Sequence, residues 1–176
     1  MSDTSAFDAN KLIWIDETGS DQRNEIRKYG YSLKGKPARA CRSCVSGKCY
    51  SAIPVMTTSG IEDVYITTGG VNGDSFKHFI CKCMLPILLL LDSHNPHSIV
   101  IIDNASIQHV VRVWEIITGV GAGLMFLPPY SPDLMPLKEV FAKVKAVLKA
   151  NDNAYISTES PEHFIKLAFS TVSKDD

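Results

Sequence analysis

Two aspartates each follow an apolar run with the composition of a buried strand. Asp16 follows Leu-Ile-Trp-Ile at residues 12–15, and Asp103 follows Ile-Val-Ile-Ile at residues 99–102. Runs of four such residues are too short for a helix and suit strands that are covered on both faces. The residue that ends such a strand lies at the carboxyl edge of the sheet, where open α/β sheets place their ligands. If the two strands are neighbours, we expect the two carboxylates to lie side by side.

Paired carboxylates allow one kind of chemistry in particular. Like charges at short range raise the pKa of one acid unless a divalent cation neutralises them. Carboxylate and water oxygens are the ligands that Mg²⁺ prefers, and a pair of such ions suits in-line attack on a phosphodiester. Aspartates that end strands are also common turn formers, and Asp103 could simply cap the helix that follows. From the residues alone, both interpretations stay open.

A long amphipathic helix is predicted near residues 134–150, with an apolar stripe that must face the sheet. Asp133 is a plausible N-cap, and Pro136 falls in the first turn, where a missing N–H costs little. At about 100° per residue, Lys138 lies on the flank of the apolar stripe, whereas Glu139 points roughly away from it. The stripe that faces the sheet consists of Leu137, Val140, Phe141, Val144 and Leu148.

The order of predicted elements is that of a mixed α/β domain, with antiparallel strands first and parallel crossovers later. Trp14 and Trp114 fall on apolar-rich elements, so we expect both in the core. The predicted strands cover residues 11–16, 27–33, 49–57, 63–67, 99–103 and 123–127. The predicted helices cover residues 74–90 (kinked or divided at Pro86), 107–118, 134–150 and 161–172.

Length and composition set the remaining limits. The 176 residues, 45% of them apolar and 21% charged, match one globular domain with an ample core. The net charge of −1 gives no overall basic field, so nucleic-acid binding would need local patches. The apolar run at residues 84–91 is too short to span a bilayer, so we expect no membrane partner. Five cysteines and a polar N-terminus favour a reducing intracellular setting, nuclear or cytoplasmic.

Three motifs resemble the catalytic domain of mariner-type DDE transposases. They are Asp-Glu-Thr at residues 16–18, Asp-Asn-Ala at residues 103–105 with His109, and Leu-Pro-Pro-Tyr-Ser-Pro-Asp-Leu at residues 127–134 before a Pro-Leu helix start. The resemblance implies an RNase H-like α/β fold, with helices on both faces of a mixed sheet. It places the domain at residues 11–150, a flexible tail at residues 1–10 and a C-terminal helix within residues 151–176.

The resemblance also implies a catalytic site. In this family two aspartates and a glutamate hold two Mg²⁺ (or Mn²⁺) ions that cut DNA and join its 3′-hydroxyl to a target. Asp16 and Asp103 match the two aspartates, but the third acidic position is Lys138, and Glu139 comes one residue late. We expect Lys138 to form a salt link with Asp16 or Asp103, the metal to bind weakly if at all, and cleavage to be impaired. Glu139 is the candidate substitute ligand.

A second interpretation is a non-catalytic remnant that binds DNA or a protein partner. The family carries helix-turn-helix modules ahead of this domain, and only about ten residues precede the first strand here. We therefore expect either a fragment of a longer protein or a repurposed copy, without sequence-specific DNA recognition of its own. A homodimer is an open alternative to a single chain.

Basic residues could track DNA phosphates beside the acids. On the long helix, Lys145 and Lys149 lie within about 40° of Lys138. A solvated lysine face is the simpler interpretation of that helix alone, but the resemblance places this flank beside the DNA. The full set of candidate nucleic-acid-binding residues is Arg39, Arg42, Lys48, His109, Lys145 and Lys149.

The cysteines offer a weaker candidate for a metal site. Cys41 and Cys44 have the spacing of a zinc knuckle, and Cys49 could add a third thiolate. A fourth ligand, His78 or His94, would have to come from a distant part of the chain. Because the family has a loop in this region, we favour an exposed hairpin tip over a zinc site.

Overall fold

The computed structural model of the chain describes residues 8–21, 31–37, 48–92, 94–103, 107–128 and 132–172. These residues form a six-stranded mixed sheet with helices on both faces. The strands are β1 (Leu12–Ile15), β2 (Thr18–Asp21), β3 (Cys49–Thr57), β4 (Gly60–Thr68), β5 (Ile99–Ile102) and β6 (Gly123–Phe126).

The early strands pair antiparallel and the later ones parallel, as the sequence predicts. β3 is antiparallel to β1, β2 and β4, whereas β1 pairs parallel with β5 and β5 pairs parallel with β6. The parallel pairing of β1 and β5 places Ile15 beside Ile102. The aspartates that follow these two residues therefore leave the sheet at adjacent positions on its carboxyl edge.

β1 and β2 form one strand with a break. Both pair with β3 in a single register, since Trp14 lies opposite Met56 and Thr18 lies opposite Ala52. The same register places Pro54 opposite Asp16, in the break. Proline has no N–H to donate to a neighbouring strand. The pairing is therefore weakest where Asp16 stands.

Five α-helices cover the sheet in the described part of the chain. Their bounds are α1 (Gly73–Phe79), α2 (Ile107–Gly119), α3 (Leu137–Ala150), α4 (Asp152–Ser157) and α5 (Pro161–Ser170). On one face, α3, α4 and α5 pack with alternate residues of β1 and β5, and on the other face α1 and α2 pack with the remaining ones. Within these described ranges, none of the helices combines the length and apolarity that a membrane crossing needs.

The apolar stripe of α3 lies where its phase predicts. Its five members are between 0% and 7% exposed, and all belong to the core on the α3 face. Because the stripe is fixed against the sheet, the flanks of the helix are fixed too. Lys138 and Glu139 must therefore project on different sides of the first turn.

Several element boundaries differ from the predictions. The helix predicted to run to residue 90 begins at Gly73 behind an Asn72 capping box, continues as a π-helical turn over Ile80–Met84, and ends before Pro86. Asp133 lies in a separate 3₁₀ turn and does not cap α3, whose N-cap is Pro136 without a side-chain bond.

Two short elements were not predicted, and one predicted strand is wrong where it can be compared. β2 and α4 carry no strong periodicity, because each spans only four to six residues. Residues 31–33, the end of the strand predicted at residues 27–33, are not in a strand, and residues 27–30 lie outside the described ranges. The backbone N–H of His97 donates to the carbonyl of Asn10, which fastens residues 8–11 to the domain.

Candidate active site

The first turn of α3 places an ammonium between the two strand-ending acids. Lys138 Nζ donates a hydrogen bond to Asp16 Oδ2 at 2.6 Å and lies 3.6 Å from Asp103 Oδ2. The other oxygen of Asp16, Oδ1, accepts the backbone N–H of Glu17 at 2.8 Å. The structure thus brings Asp16, Asp103 and Lys138 together, with the salt link that the sequence predicts.

The three side chains differ in their exposure to solvent. Asp16 is 12% exposed, Asp103 36% and Lys138 43%. Asp16 is therefore the acid that depends most on a nearby cation, because few water molecules can solvate its charge. The lysine reaches it from the solvent side, along the flank of α3.

Burial and the ion pair have opposite effects on the pKa of Asp16, and also on the pKa of Lys138. Burial raises the pKa of Asp16 more than the hydrogen bond and charge of Lys138 lower it, and the charge of Asp103 adds to the rise. Burial lowers the pKa of Lys138, but the hydrogen bond and charge of Asp16, with a smaller contribution from Asp103, more than offset it. The pKa of Lys138 ends above its ordinary value, so the ammonium stays charged at neutral pH.

The side chains at this edge do not fit a pair of divalent ions. Such a pair needs a third carboxylate, and position 138 supplies a cation instead. At 4 Å and an effective dielectric constant near 20, this exchange turns an attraction of about 4 kcal/mol into a repulsion of similar size. Across the described ranges, no group of three or more His, Cys, Asp or Glu side chains could hold a metal ion.

Glu139 lies on the other flank of the same turn. It is exposed and lines a hollow of about 280 Å³ together with Trp14, Met56, Ile61 and Lys143. The helix phase thus directs the neighbouring glutamate toward this hollow, and the side chain that contacts the aspartates is Lys138.

The candidate DNA-binding lysines lie along the flank of α3 that carries Lys138. Lys145 is half-buried and lines a second hollow, of about 420 Å³, with Gly19, Ser20 and Asp21. Lys149 is exposed one turn further along the helix. This flank therefore follows β2 away from the aspartates.

The other predicted residues lie elsewhere or outside the described ranges. Lys48 and Cys49 are exposed at the start of β3. The backbone of His109 is helical, in the first turn of α2, but its side chain is not described. Arg39 and Arg42, like Cys41 and Cys44, lie outside the described residues, so the structure leaves those predictions as they were.

The two tryptophans differ in how far they meet the prediction of core positions, since Trp14 packs against the core on the α3 face. Trp14 is only half-buried and forms a wall of the hollow beside Glu139. Trp114 is 54% exposed on α2, because the helix turns Val113 and Ile117 toward the core instead. The prediction for Trp114 is therefore wrong.

One buried polar contact near the site was missed. The hydroxyls of Ser20 on β2 and Tyr155 on α4 lie 3.1 Å apart, and Tyr155 is fully buried. This contact ties the broken strand to the helices on the α3 face. Pro54, inside an otherwise regular strand, was the sequence signal for the break, since a central proline disturbs pairing.

Comparison with known proteins places this geometry in a family. A model of the DDE superfamily endonuclease family matches residues 11–160. The chain is similar to the Mos1 strand transfer complex, with 19% identity and a TM-score of 0.66 over 95% of this chain and 49% of that one. It is also similar to the Mos1 mariner paired end complex with Mn, with 19% identity and a TM-score of 0.65 over 95% of this chain and 50% of that one.

A more distant similarity extends to an integrase. The catalytic core domain of BIV integrase has 12% identity and a TM-score of 0.53, over 92% of this chain and 82% of that one. At these identities the solved structures show a shared fold, the RNase H-like core of transposases and integrases.

The chain spans about half the length of the Mos1 chains that it matches. No curated protein matches it significantly. Because the family model spans residues 11–160, the chain belongs to the DDE superfamily endonuclease family.

Proposed function

We propose that this chain is a mariner-type transposase domain that acts on DNA phosphodiesters, with metal-dependent strand cleavage and transfer impaired by Lys138. The observation that carries the proposal is the position of Lys138 Nζ, 2.6 Å from Asp16 Oδ2 and 3.6 Å from Asp103 Oδ2. Membership of the family supports the DNA substrate. The Mos1 structures with Mn and with Mg support the use of divalent ions in the family.

Lys138 weakens cleavage without removing the rest of the site. The two aspartates keep their places at the sheet edge, because the pairing of Ile15 with Ile102 fixes the residues before them. A divalent ion could reach them only after the flexible lysine stem swings its ammonium away. We therefore expect Mg²⁺ or Mn²⁺ to bind weakly, and the cleavage rate to fall by orders of magnitude relative to a site with three acids.

DNA binding is proposed for the flank of α3 that carries the lysines. Lys145 and Lys149 extend the positive charge of Lys138 along β2, and Lys48 is exposed at the start of β3. Ammonium groups along such a groove hold phosphates without reading sequence. Arg39, Arg42 and His109 complete the proposed set on the strength of the sequence alone.

The second candidate function is that of a non-catalytic derivative that binds DNA or a protein partner. The same ion pair favours it, because a satisfied pair of carboxylates has no need of a metal ion. The two candidates differ in one measurable property. The first retains a residual metal-dependent nuclease activity that depends on Asp103, and the second has none.

Nicking of supercoiled plasmid in Mg²⁺ or Mn²⁺ tests the cleavage proposal. We expect the wild type to nick slowly. The nicking rate of Lys138→Glu should be at least about 100-fold higher, because the variant removes the repulsion of the metal ion and adds a carboxylate ligand. The double variant Lys138→Glu with Asp103→Ala should return to background. Robust wild-type nicking that Asp103→Ala abolishes would contradict the proposed impairment. A wild type at background together with an active Lys138→Glu variant would favour the non-catalytic candidate.

Fluorescence anisotropy with a labelled duplex tests the DNA interface. The double variant Lys145→Glu with Lys149→Glu should bind the duplex more weakly. The slope of its log affinity against log salt concentration should be shallower than that of the wild type by about two units. The double variant Lys77→Glu with Lys82→Glu is the matched control, because it makes the same charge change at two exposed positions, on α1 and on the π-helical turn that follows it, across the sheet. Failure of the wild type to bind at low salt would remove DNA from the proposal.

A further inference from the structure

We infer that Lys138 is a tethered counter-ion, a side-chain cation that takes the place of a divalent ion between Asp16 and Asp103 and makes the fold of this site independent of metal. The inference rests on the proposed function for the identity of the site. It goes further, because it assigns to the lysine a structural role that operates without DNA and without catalysis.

The hydrogen bonds of Asp16 support this assignment. One carboxylate oxygen is held by the Glu17 N–H and the other by Lys138 Nζ. Each oxygen of a nearly buried acid therefore has a donor, and the donor on Oδ2 carries the charge that the acid needs. A distance of 2.6 Å is that of a short charge-assisted hydrogen bond.

The lysine is held in place by the packing of its helix. Met135 and Leu137 are 2% and 0% exposed on either side of Pro136, and the Lys138 N–H donates to the carbonyl of Met135. The start of α3 therefore cannot shift without opening the core. The ammonium can therefore move only by rotation of its own stem, and the fixed base of the stem returns it to both acids unless another ion takes its place.

Tethering gives this cation an advantage over free ions. A group attached next to its site acts at an effective concentration set by the tether, which commonly reaches the millimolar range or above. A free divalent ion must displace it and then bind to two carboxylates without a third. Millimolar Mg²⁺ should therefore leave the wild-type site unchanged.

Thermal unfolding in EDTA and in about 10 mM Mg²⁺ or Mn²⁺, without DNA, tests the inference. We expect the wild-type Tm to move by less than about 1 °C between the two conditions. Lys138→Glu should unfold at a lower temperature in EDTA, because three acids then repel one another. It should gain about 3–6 °C in the metal, as a dissociation constant near 1 mM would give.

Two further variants make the test specific. Lys149→Glu makes the same charge change on the same helix away from the aspartates, and it should respond to the metal as the wild type does. Lys138→Gln removes the cation without adding an acid, so its Tm should rise less than that of Lys138→Glu. It also keeps the test available if Lys138→Glu folds poorly in EDTA.

Two outcomes would overturn the inference. If the wild type is stabilised by Mg²⁺ as much as Lys138→Glu is, the ammonium does not hold the cation position. If neither variant at position 138 responds to either metal, the aspartates are not a cation site. Failure of the proposed function has a different signature. In that case, Lys138→Glu would gain metal-dependent stability but neither bind nor nick DNA.

Discussion

Two lysine–aspartate contacts join the helices α3 and α5 to the sheet, and they differ in their length and in the exposure of the acid. Lys138 donates to Asp16 at 2.6 Å, and that acid is 12% exposed. Lys166 of α5 lies 3.9 Å from Asp63 of β4, and that acid is 46% exposed. The first contact neutralises an acid that water barely reaches, whereas the second adds a weak attraction to an acid that is already solvated.

The difference originates in the strands that carry the two acids. Asp16 stands in the break between β1 and β2, opposite Pro54, at the edge where the parallel strands end. Asp63 stands within the paired strand β4, beside a shift in its register with β3. A lysine over a strand end can therefore take the place of a ligand. A lysine over a paired strand makes only a surface contact.

The largest expected effect concerns Cys83, the buried neighbour of the looser contact. Burial, then the hydrogen bond and charge of Asp63, raise its pKa to about 12, and the charge of Lys166 only partly offsets this rise. At pH 8 such a thiol is a thiolate in about one molecule in 10⁴. Iodoacetamide should therefore alkylate Cys83 at least about 1,000-fold more slowly than the exposed Cys81, as peptide mass mapping would show.

The raised pKa of Cys83 also predicts a pH dependence of stability, which checks the shift independently of the alkylation rate. Because the pKa of the folded thiol lies above the value of 9.0 in the unfolded chain, ionisation favours unfolding between pH 9 and 12. The difference in unfolding free energy between wild type and Cys83→Ala should thus fall by about 1.4 kcal/mol per pH unit there. Alkylation of Cys83 within tenfold of Cys81 in the folded protein would show that burial and the Asp63 contact do not hold this thiol in its protonated form.

An exchange of residues 138 and 139 tests the closer contact at constant net charge. The double variant Lys138→Glu with Glu139→Lys should raise Mg²⁺-dependent nicking at least about 100-fold, because one helix position separates the two flanks. The single variant Glu139→Lys leaves Lys138 in place and should nick no faster than the wild type. Equal gains in both variants would mean that helix phase does not decide which side chain faces the aspartates.

The sequence predicted the parts of the fold that follow from periodicity. The stripe of α3, the length of β3 and the apolar strands before Asp16 and Asp103 are regular over enough residues to identify. The stripe alone gave the flank of Lys138, and the strand ends gave the pair of acids. Residue spacing and helix phase therefore gave the pair of acids and the direction of the lysine, whereas the resemblance to the DDE transposases was needed to identify position 138 as part of the site.

The remaining features depend on contacts that spacing does not encode. β2 continues along β3 past the break at Asp16, and the hydroxyl of the buried Tyr155 has a partner in Ser20. Trp114 is exposed because the core on the α2 side is filled by Val113 and Ile117. Tertiary packing decides such positions, and a single sequence does not show it.

Removing the charge of Lys138 should have a moderate effect on stability. Lys138→Met keeps the stem but leaves Asp16 without its cation. We therefore expect its free energy of unfolding, measured in urea, to be about 1–2 kcal/mol lower than that of the wild type. Loss of one partner of a fully buried pair costs about 3–5 kcal/mol, but the exposure of Lys138 reduces that figure. A variant as stable as the wild type would show that water or backbone groups satisfy Asp16 without the lysine.

The smallest effect is expected at the looser contact. Lys166→Met also keeps the stem, which can still cover apolar surface, and removes only an ammonium that lies 3.9 Å from a solvated acid. Its unfolding free energy in urea should lie within about 0.5 kcal/mol of the wild type, because exposed pairs seldom contribute more. The matched variant at position 138 provides the scale, since both substitutions remove one charge from a helix on the same face. If Lys166→Met lost as much stability as Lys138→Met, burial of the acid would not explain the difference between the two contacts. The ammonium of Lys138 would then be an ordinary surface cation and not a tethered counter-ion.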